Sequence, residues 1–264
     1  MRYFAFVFSA LLVCASPRPS VDKLPNASAF RWHGHLAAGQ AIEVKGINGE
    51  IRAEGTSGTE VEVIAHKVGR HGDISAVELA LVEHSGRVTI CAVYPGLGTG
   101  GCVPGKDGRA AGPQNDVRVD FTVLVPAGVR FVGRTVNGGI TATSLKADTE
   151  AYTVNGRIQL STAGTAQART VNGSIIAALG DPFWSKTREF STVNGAIDLS
   201  LPSSTSAELR ASTVNGGISA DFPLTACGEI LGKHISTRIG HGGRQLRLTT
   251  VNGSIRLHQL GRIL

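Results

Sequence analysis

The tetrad Thr-Val-Asn-Gly occurs six times in this chain, each copy followed by one variable residue and then isoleucine. The copies start at Thr135, Thr153, Thr170, Thr192, Thr213 and Thr250, at intervals of 18, 17, 22, 21 and 37 residues. A fixed hexad recurring at such a period is the mark of a repeat architecture, in which each unit is too small to bury its apolar face alone and must stack on its neighbours.

Each part of the hexad has a physical reading. Val and Ile lie four apart, and even spacing in extended chain places side chains on one face, so Val136, Ile140 and their counterparts are expected to point inward. Gly permits a sharp corner or a positive φ. Asn tolerates the left-handed region and bonds local backbone. Stacked at one corner, Asn137, Asn155, Asn172, Asn194, Asn215 and Asn252 can also bond one another as a ladder that sets the register of buried amides. Asn-Gly is equally a strong hairpin signal, so an antiparallel meander is the alternative. The second turn of each unit varies in length, as in Leu179-Gly-Asp-Pro-Phe-Trp184 and Leu201-Pro-Ser-Ser204. Parallel stacking tolerates that variation and tight hairpins do not. The expectation is an all-β chain whose residues 130–264 form a parallel β-solenoid.

Residues 30–129 read as β-rich but irregular. Val117-Arg-Val-Asp-Phe-Thr-Val-Leu-Val125 alternates most clearly. Ile47-Asn-Gly-Glu-Ile51 is a forerunner of the repeat, so this part is expected to hold drifted rungs. Residues 96–114 are broken by Gly and Pro and read as a surface loop. The 37-residue interval before Thr250 has room for a degenerate rung plus an insertion, with residues 220–243 the most irregular part.

The apolar content is 42%, yet aromatics are only 5% and Met occurs once, which suits thin β-layers filled by small branched side chains. Residues 1–15 read as a secretory signal: one charge at Arg2, a short apolar run and small residues before Ser16. A lipoprotein reading of Cys14 ranks behind, because Val13 is larger than the residue expected before a lipidated cysteine. Residues 16–29 then form a polar, flexible leader. Cleavage would lower the formal charge from +6 to +5. No later apolar run is long enough for a membrane helix, so the mature chain is placed in the periplasm, the envelope or outside the cell. There Cys91 and Cys102 are the natural disulfide pair, and Cys227 is left as a buried thiol.

The basic residues are dispersed, without aromatic interleaving, so nucleic acid is not an expected partner. An envelope polysaccharide, an anionic surface or a partner protein remains. No nucleophile elbow, metalloprotease motif, phosphate loop or dinucleotide fingerprint is present, and no cofactor is expected. His33 and His35 read as surface residues rather than metal ligands. Asp148, Glu150, Asp198, Glu208 and Asp221 would matter only if a groove brought two or three together. The sequons at Asn172 and Asn252 are incidental, since four other copies keep Asn without one. The variable row Gly139, Arg157, Ser174, Ala196, Gly217 and Ser254 is expected to face outward as a contact surface.

Together with the repeats, Phe30-Arg-Trp32, Thr89-Ile-Cys-Ala-Val-Tyr-Pro95 and Val125-Pro-Ala-Gly128 resemble a bacterial envelope family, the "putative adhesin" β-strand-repeat domain of unknown function. The resemblance spans roughly residues 30–257. It implies a β-solenoid at or outside the cytoplasmic membrane, linked to attachment or envelope stress, and it brings no catalytic residues. The expected function is a non-enzymatic exported binding or structural scaffold. A carbohydrate-active β-helix enzyme and an envelope-stress sensing component are the alternatives.

Overall fold

The computed structural model describes residues 21–24, 27–69, 71–96, 102–105, 116–225, 230–231 and 233–260. The signal segment, Cys227 and most of the 96–114 loop lie outside them. The protein is a flattened β-solenoid of two large, mostly parallel sheets. Each rung gives one strand to the first sheet, turns at Val-Asn-Gly-x, and gives a second strand to the other sheet. In the Asn155 rung these are Thr149–Tyr152 and Ile158–Thr162. In the Asn137 rung they are Arg130–Arg134 and Ile140–Leu145. Ala41–Lys45 and Ile51–Thr56 flank Asn48 and form a full rung on top of the Asn137 rung.

The rungs do not stack in chain order. Along the corner the sequence is Asn48, Asn137, Asn155, Asn172, Asn194, Asn252, Asn215. The last rung, Gln245–Thr249 and Ile255–Leu260, is intercalated between the two that precede it. The Asn48 rung is likewise enclosed: Arg87–Val93 and Arg118–Pro126 come later in the chain yet lie outside it. Antiparallel strands then cap both sheets at the first end and the first sheet at the other, where Ile218–Ala220 is left as the edge of the second sheet. Glu78–His84 covers Arg87–Val93, and Val61–Val68 covers Arg118–Pro126. At the other end His234–Ile239 runs antiparallel to Ala207–Ser212. Such caps block the edge-to-edge pairing that an open parallel stack invites. The 37-residue interval is therefore not a degenerate rung. Its described residues form an antiparallel cap, followed by Gln245–Thr249, the first strand of the rung that returns into the stack.

The corner corrects the reading of the hexad. Val154, Val171 and Val193 are each 38% exposed, and Val214 is 55% exposed. The buried members are Thr and Ile: Thr153, Thr170, Thr192 and Thr250 are at most 6% exposed, and Ile140, Ile158, Ile175, Ile197 and Ile255 are fully enclosed. Even spacing fails because the chain bends at Val-Asn, where the N–H groups of Val154 and Asn155 both donate to the Val136 carbonyl (3.3 and 2.7 Å). The bend consumes a position, so Thr and Ile, five apart, share the interior.

Thr is needed inside because its Oγ1 donates to the Gly carbonyl one rung away: Thr153 to Gly138 at 2.9 Å, Thr192 to Gly173 at 2.9 Å, Thr213 to Gly253 at 2.8 Å. A buried hydroxyl without such a partner would carry a desolvation cost of roughly 1–3 kcal/mol. Gly is needed chiefly for close approach. A Cβ on Gly156 would stand 2.0 Å from the Gly138 carbonyl oxygen. The amides form a ladder, Asn155 Nδ2 donating to Asn137 Oδ1 and Asn172 Nδ2 to Asn155 Oδ1, both at 2.8 Å. The ladder lies on the surface, so slippage would not strand buried amides as the sequence reading supposed.

One hydrophobic core runs from Phe30 to Leu257, so residues 30–129 and 130–264 share a single interior. Within the segment read as a leader, Val21–Lys23 pairs antiparallel with Glu78–His84 and forms the outermost strand of the first sheet. The Cys91 and Cys102 sulfurs are bonded. The bond holds Cys102 against the outer face of the first sheet, where both cysteines pack with Ala80, Val82 and Val93.

Candidate binding face

The residue before each corner points out of the first sheet, and the parallel register aligns these residues in a row. Lys45, Arg134, Tyr152 and Arg169 are neighbours on successive rungs. Between this row and the corner valines Val136, Val154 and Val171 runs a shallow groove of about 210 Å³. Lys45 donates from Nζ to the Val103 carbonyl at 2.8 Å. The Arg134 guanidinium lies 4.0 Å from the Tyr152 ring centroid, within the range where the ring face attracts a cation. The Tyr152 hydroxyl donates to Glu150 at 3.0 Å and accepts from Gln167 Nε2 at 2.6 Å. Burial, then the Glu150 charge, push its pKa up to about 12, so it stays a neutral, fixed donor.

Glu43 anchors this face. Its side chain has no exposure. It accepts from Arg134 Nε (2.9 Å), Arg87 (3.1 Å), Thr89 Oγ1 (3.1 Å) and the Gly105 N–H (3.0 Å). Burial pushes its pKa upward, but the Gly105 N–H and the two guanidinium groups outweigh that and hold it below the ordinary value. A depressed carboxylate pKa stabilises the fold above the unfolded value, and that contribution is lost as pH falls through the folded one. Loosening of the Val103–Gly105 segment is therefore expected below the ordinary glutamate value of 4.5. Glu43→Gln keeps the shape and removes the charge. It should cost about 3 kcal/mol, as breaking a buried ion pair does, and should flatten the acid limb of the melting profile. A wild-type profile in this variant would contradict the assignment.

At the corner itself, each inner Asn donates one N–H along the ladder and accepts one. An amide carries two N–H groups and two lone pairs, so Asn155, Asn172 and Asn194 each keep one of each toward solvent. The variable residues Gly139, Arg157, Ser174, Ala196, Ser254 and Gly217 stack just past this ladder, and Arg157 is the one charged member. Strands are spaced about 4.8 Å apart, so the seven Asn corners span about 29 Å.

The acids flagged in the sequence are dispersed. Asp148 faces Arg188 at 3.0 Å, Glu150 faces Arg130 at 3.2 Å and Asp198 faces Arg256 at 3.0 Å. Asp221 lies 3.1 Å from His258, and Glu208 is opposite Arg238 in the antiparallel cap. No two of them share a groove. His33 and His35 are both exposed. Among the described residues no cluster of three metal-ligating side chains occurs, and no helix is long and apolar enough to cross a membrane. Sequence reasoning missed the Lys45–Arg134–Tyr152–Arg169 row. Its signal was position: in three of the four, the residue immediately precedes Thr-Val-Asn-Gly.

A comparison with curated proteins gave no match. Among solved structures, the chain is similar to a "putative cell adhesion protein" of Clostridium sporogenes, at 9% identity and a TM-score of 0.47, covering 93% of this chain and 100% of the other. It is also similar to a "putative adhesin" of Bacteroides fragilis, at 12% identity and a TM-score of 0.35, covering 88% and 97%. A family model matches residues 32–258, almost the whole span over which the repeats and their N-terminal forerunner share one core. The chain belongs to the Toastrack DUF4097 family.

Proposed function

We propose that this protein is a non-enzymatic, exported scaffold of the cell envelope whose corner holds an extended envelope polysaccharide. The observation that carries the reading is the repeated pairing of an exposed Val with an Asn that keeps one N–H and one lone pair free, beside the groove lined by Lys45, Arg134, Tyr152 and Arg169. A row of apolar side chains retained at solvent-facing positions favours an interaction surface. Its regular repeat suits a regular polymer: methyl groups meet the sugar faces, and the amides meet hydroxyls. On this flank Arg169 is the exposed cation, shared with Glu189 at 3.1 Å, and adds an attraction for uronate or phosphate-bearing chains that weakens in salt. The N-terminal signal-like segment fits export.

The test is co-sedimentation of the purified protein with insoluble envelope polysaccharide. Wild type should be retained. The double variant Val154→Ser, Val171→Ser should bind about tenfold more weakly, near 1.4 kcal/mol, with an unchanged melting temperature because both side chains are already solvent-facing. No retention of the wild type, or equal retention of the variant, would contradict the reading.

A further inference from the structure

Every Asn-Gly corner holds the two groups that react in succinimide formation: the Asn side-chain carbonyl carbon and the backbone nitrogen of the next residue. In six corners that nitrogen is occupied, because its N–H donates to the Asn carbonyl of the adjoining rung. Gly49 donates to Asn137, Gly138 to Asn155, Gly156 to Asn172, Gly173 to Asn194, Gly195 to Asn252 and Gly253 to Asn215, at 2.9–3.0 Å. The seventh corner differs because it ends the stack. Gly216 has no adjoining rung, and its N–H has no partner among the described residues.

The Asn215 side chain is also held on one side only. Its Nδ2 donates to Asn252 Oδ1 at 2.8 Å, and no further Asn donates to its own Oδ1. By contrast, Asn155 both donates to Asn137 and accepts from Asn172. Val214, Asn215, Gly216 and Gly217 are all exposed, and a Cβ on Gly217 would meet nothing within 4 Å. At this end of the ladder the nucleophile, the electrophile and the space to bring them together are all available.

We infer that Asn215 is a site of spontaneous deamidation and isoaspartate formation, and that the stack itself protects the six other Asn-Gly pairs. The Gly216 nitrogen gives its proton to solvent base and attacks Asn215 Cγ. The new C–N bond closes a succinimide while the C–NH₂ bond breaks, and ammonia leaves. Water then opens the ring at either carbonyl, giving aspartate or isoaspartate. One water enters and one ammonia departs, with no redox change. The product carboxylate has no N–H to donate to Asn252 Oδ1, so the last rung loses its ladder bond. The isoaspartate product also lengthens the main chain at the corner. The change would accumulate with time outside the cell and loosen the exposed end of the stack first.

The experiment incubates the purified full chain in mildly alkaline buffer, folded and in parallel in strong denaturant. Peptide mapping with isoaspartate-resolving fragmentation then follows each Asn-Gly pair. In the folded protein the Asn215 peptide should convert about tenfold faster than those of Asn137, Asn155, Asn172 and Asn194, the factor expected for one backbone hydrogen bond that must first open. In denaturant the rates should converge. Equal rates in the folded protein would overturn the inference. So would an Asn215 advantage that persists unchanged in denaturant, since it would then come from local sequence and not from the ladder.

Discussion

Deleting residues 244–264 is expected to unravel the C-terminal third of the stack rather than shorten it by one rung. The last rung lies inside the array, between the Asn194 and Asn215 rungs. Its removal takes away Leu246, Leu248, Ile255 and Leu257, all at most 1% exposed. At about 1.5–3 kcal/mol per buried side chain, that is on the order of 6–12 kcal/mol as an upper estimate, comparable with the whole stability of an ordinary domain. It also leaves two parallel edges facing an empty slot about 10 Å wide, which backbone pairing at about 4.8 Å cannot bridge. Limited proteolysis should cut the truncated chain within residues 203–243 while sparing the rungs from Asn48 to Asn172. A truncated chain with the wild-type digestion pattern would show that the last rung is an ornament.

Gly156→Ala should be among the most damaging single substitutions in the repeat. The added methyl would sit 2.0 Å from the Gly138 carbonyl oxygen and 2.5 Å from its carbon, both main-chain atoms in the adjoining rung. Main chain cannot rotate away as a side chain can, so the two rungs must separate. That strains the Thr153 hydroxyl bond and the amide ladder together. A loss of about 3 kcal/mol, at the upper end of overpacking costs, corresponds to roughly 6–12 °C in melting temperature for a chain of this size. Gly217→Ala, at the variable position of the end corner, is the control for a methyl added where there is room, since nothing lies within 4 Å of its added Cβ. It should be neutral or slightly stabilising through reduced freedom of the unfolded chain. Equal effects of the two substitutions would mean that corner flexibility, not close approach, selects glycine.

These contrasts show what the sequence could and could not convey. Stacked parallel rungs were legible because the hexad is constant at one corner while the other corner varies in length. Asn and Ile were legible as stacked columns because each has one obvious chemistry. The valines were not, because a rule for extended chain was applied across a bend, and only the paired N–H bonds to Val136 reveal where the chain turns. The order of stacking was hidden for a deeper reason. Identical hexads make the slots chemically interchangeable, so nothing in Thr250–Ile255 says that it belongs beside Asn194 rather than beyond Asn215. The groove was hidden because Arg134, Tyr152 and Arg169 differ from one another, and a repeat search discards what differs.

The same logic links fold and function. Constant residues hold the rungs together: Thr through its hydroxyl, Gly through the absence of a side chain, Ile through burial. Val is the exception, constant yet largely solvent-facing, and it lines a groove that the varied row of Lys45, Arg134, Tyr152 and Arg169 also faces. A surface built this way is rigid before any partner arrives, so little ordering entropy is lost on binding.

The intercalated stack is tested most directly by engineered disulfides in a chain carrying Cys227→Ser. Asp198, Arg256 and Ser219 occupy one register position on three consecutive strands, with Arg256 in the middle. Adjacent parallel strands lie about 4.8 Å apart, within disulfide reach, whereas alternate strands lie beyond the roughly 7 Å limit. Asp198→Cys with Arg256→Cys should oxidise readily, as should Arg256→Cys with Ser219→Cys, while Asp198→Cys with Ser219→Cys should stay reduced. Ready oxidation of that last pair, with no bond between positions 198 and 256, would mean that the rungs stack in chain order and would contradict the account.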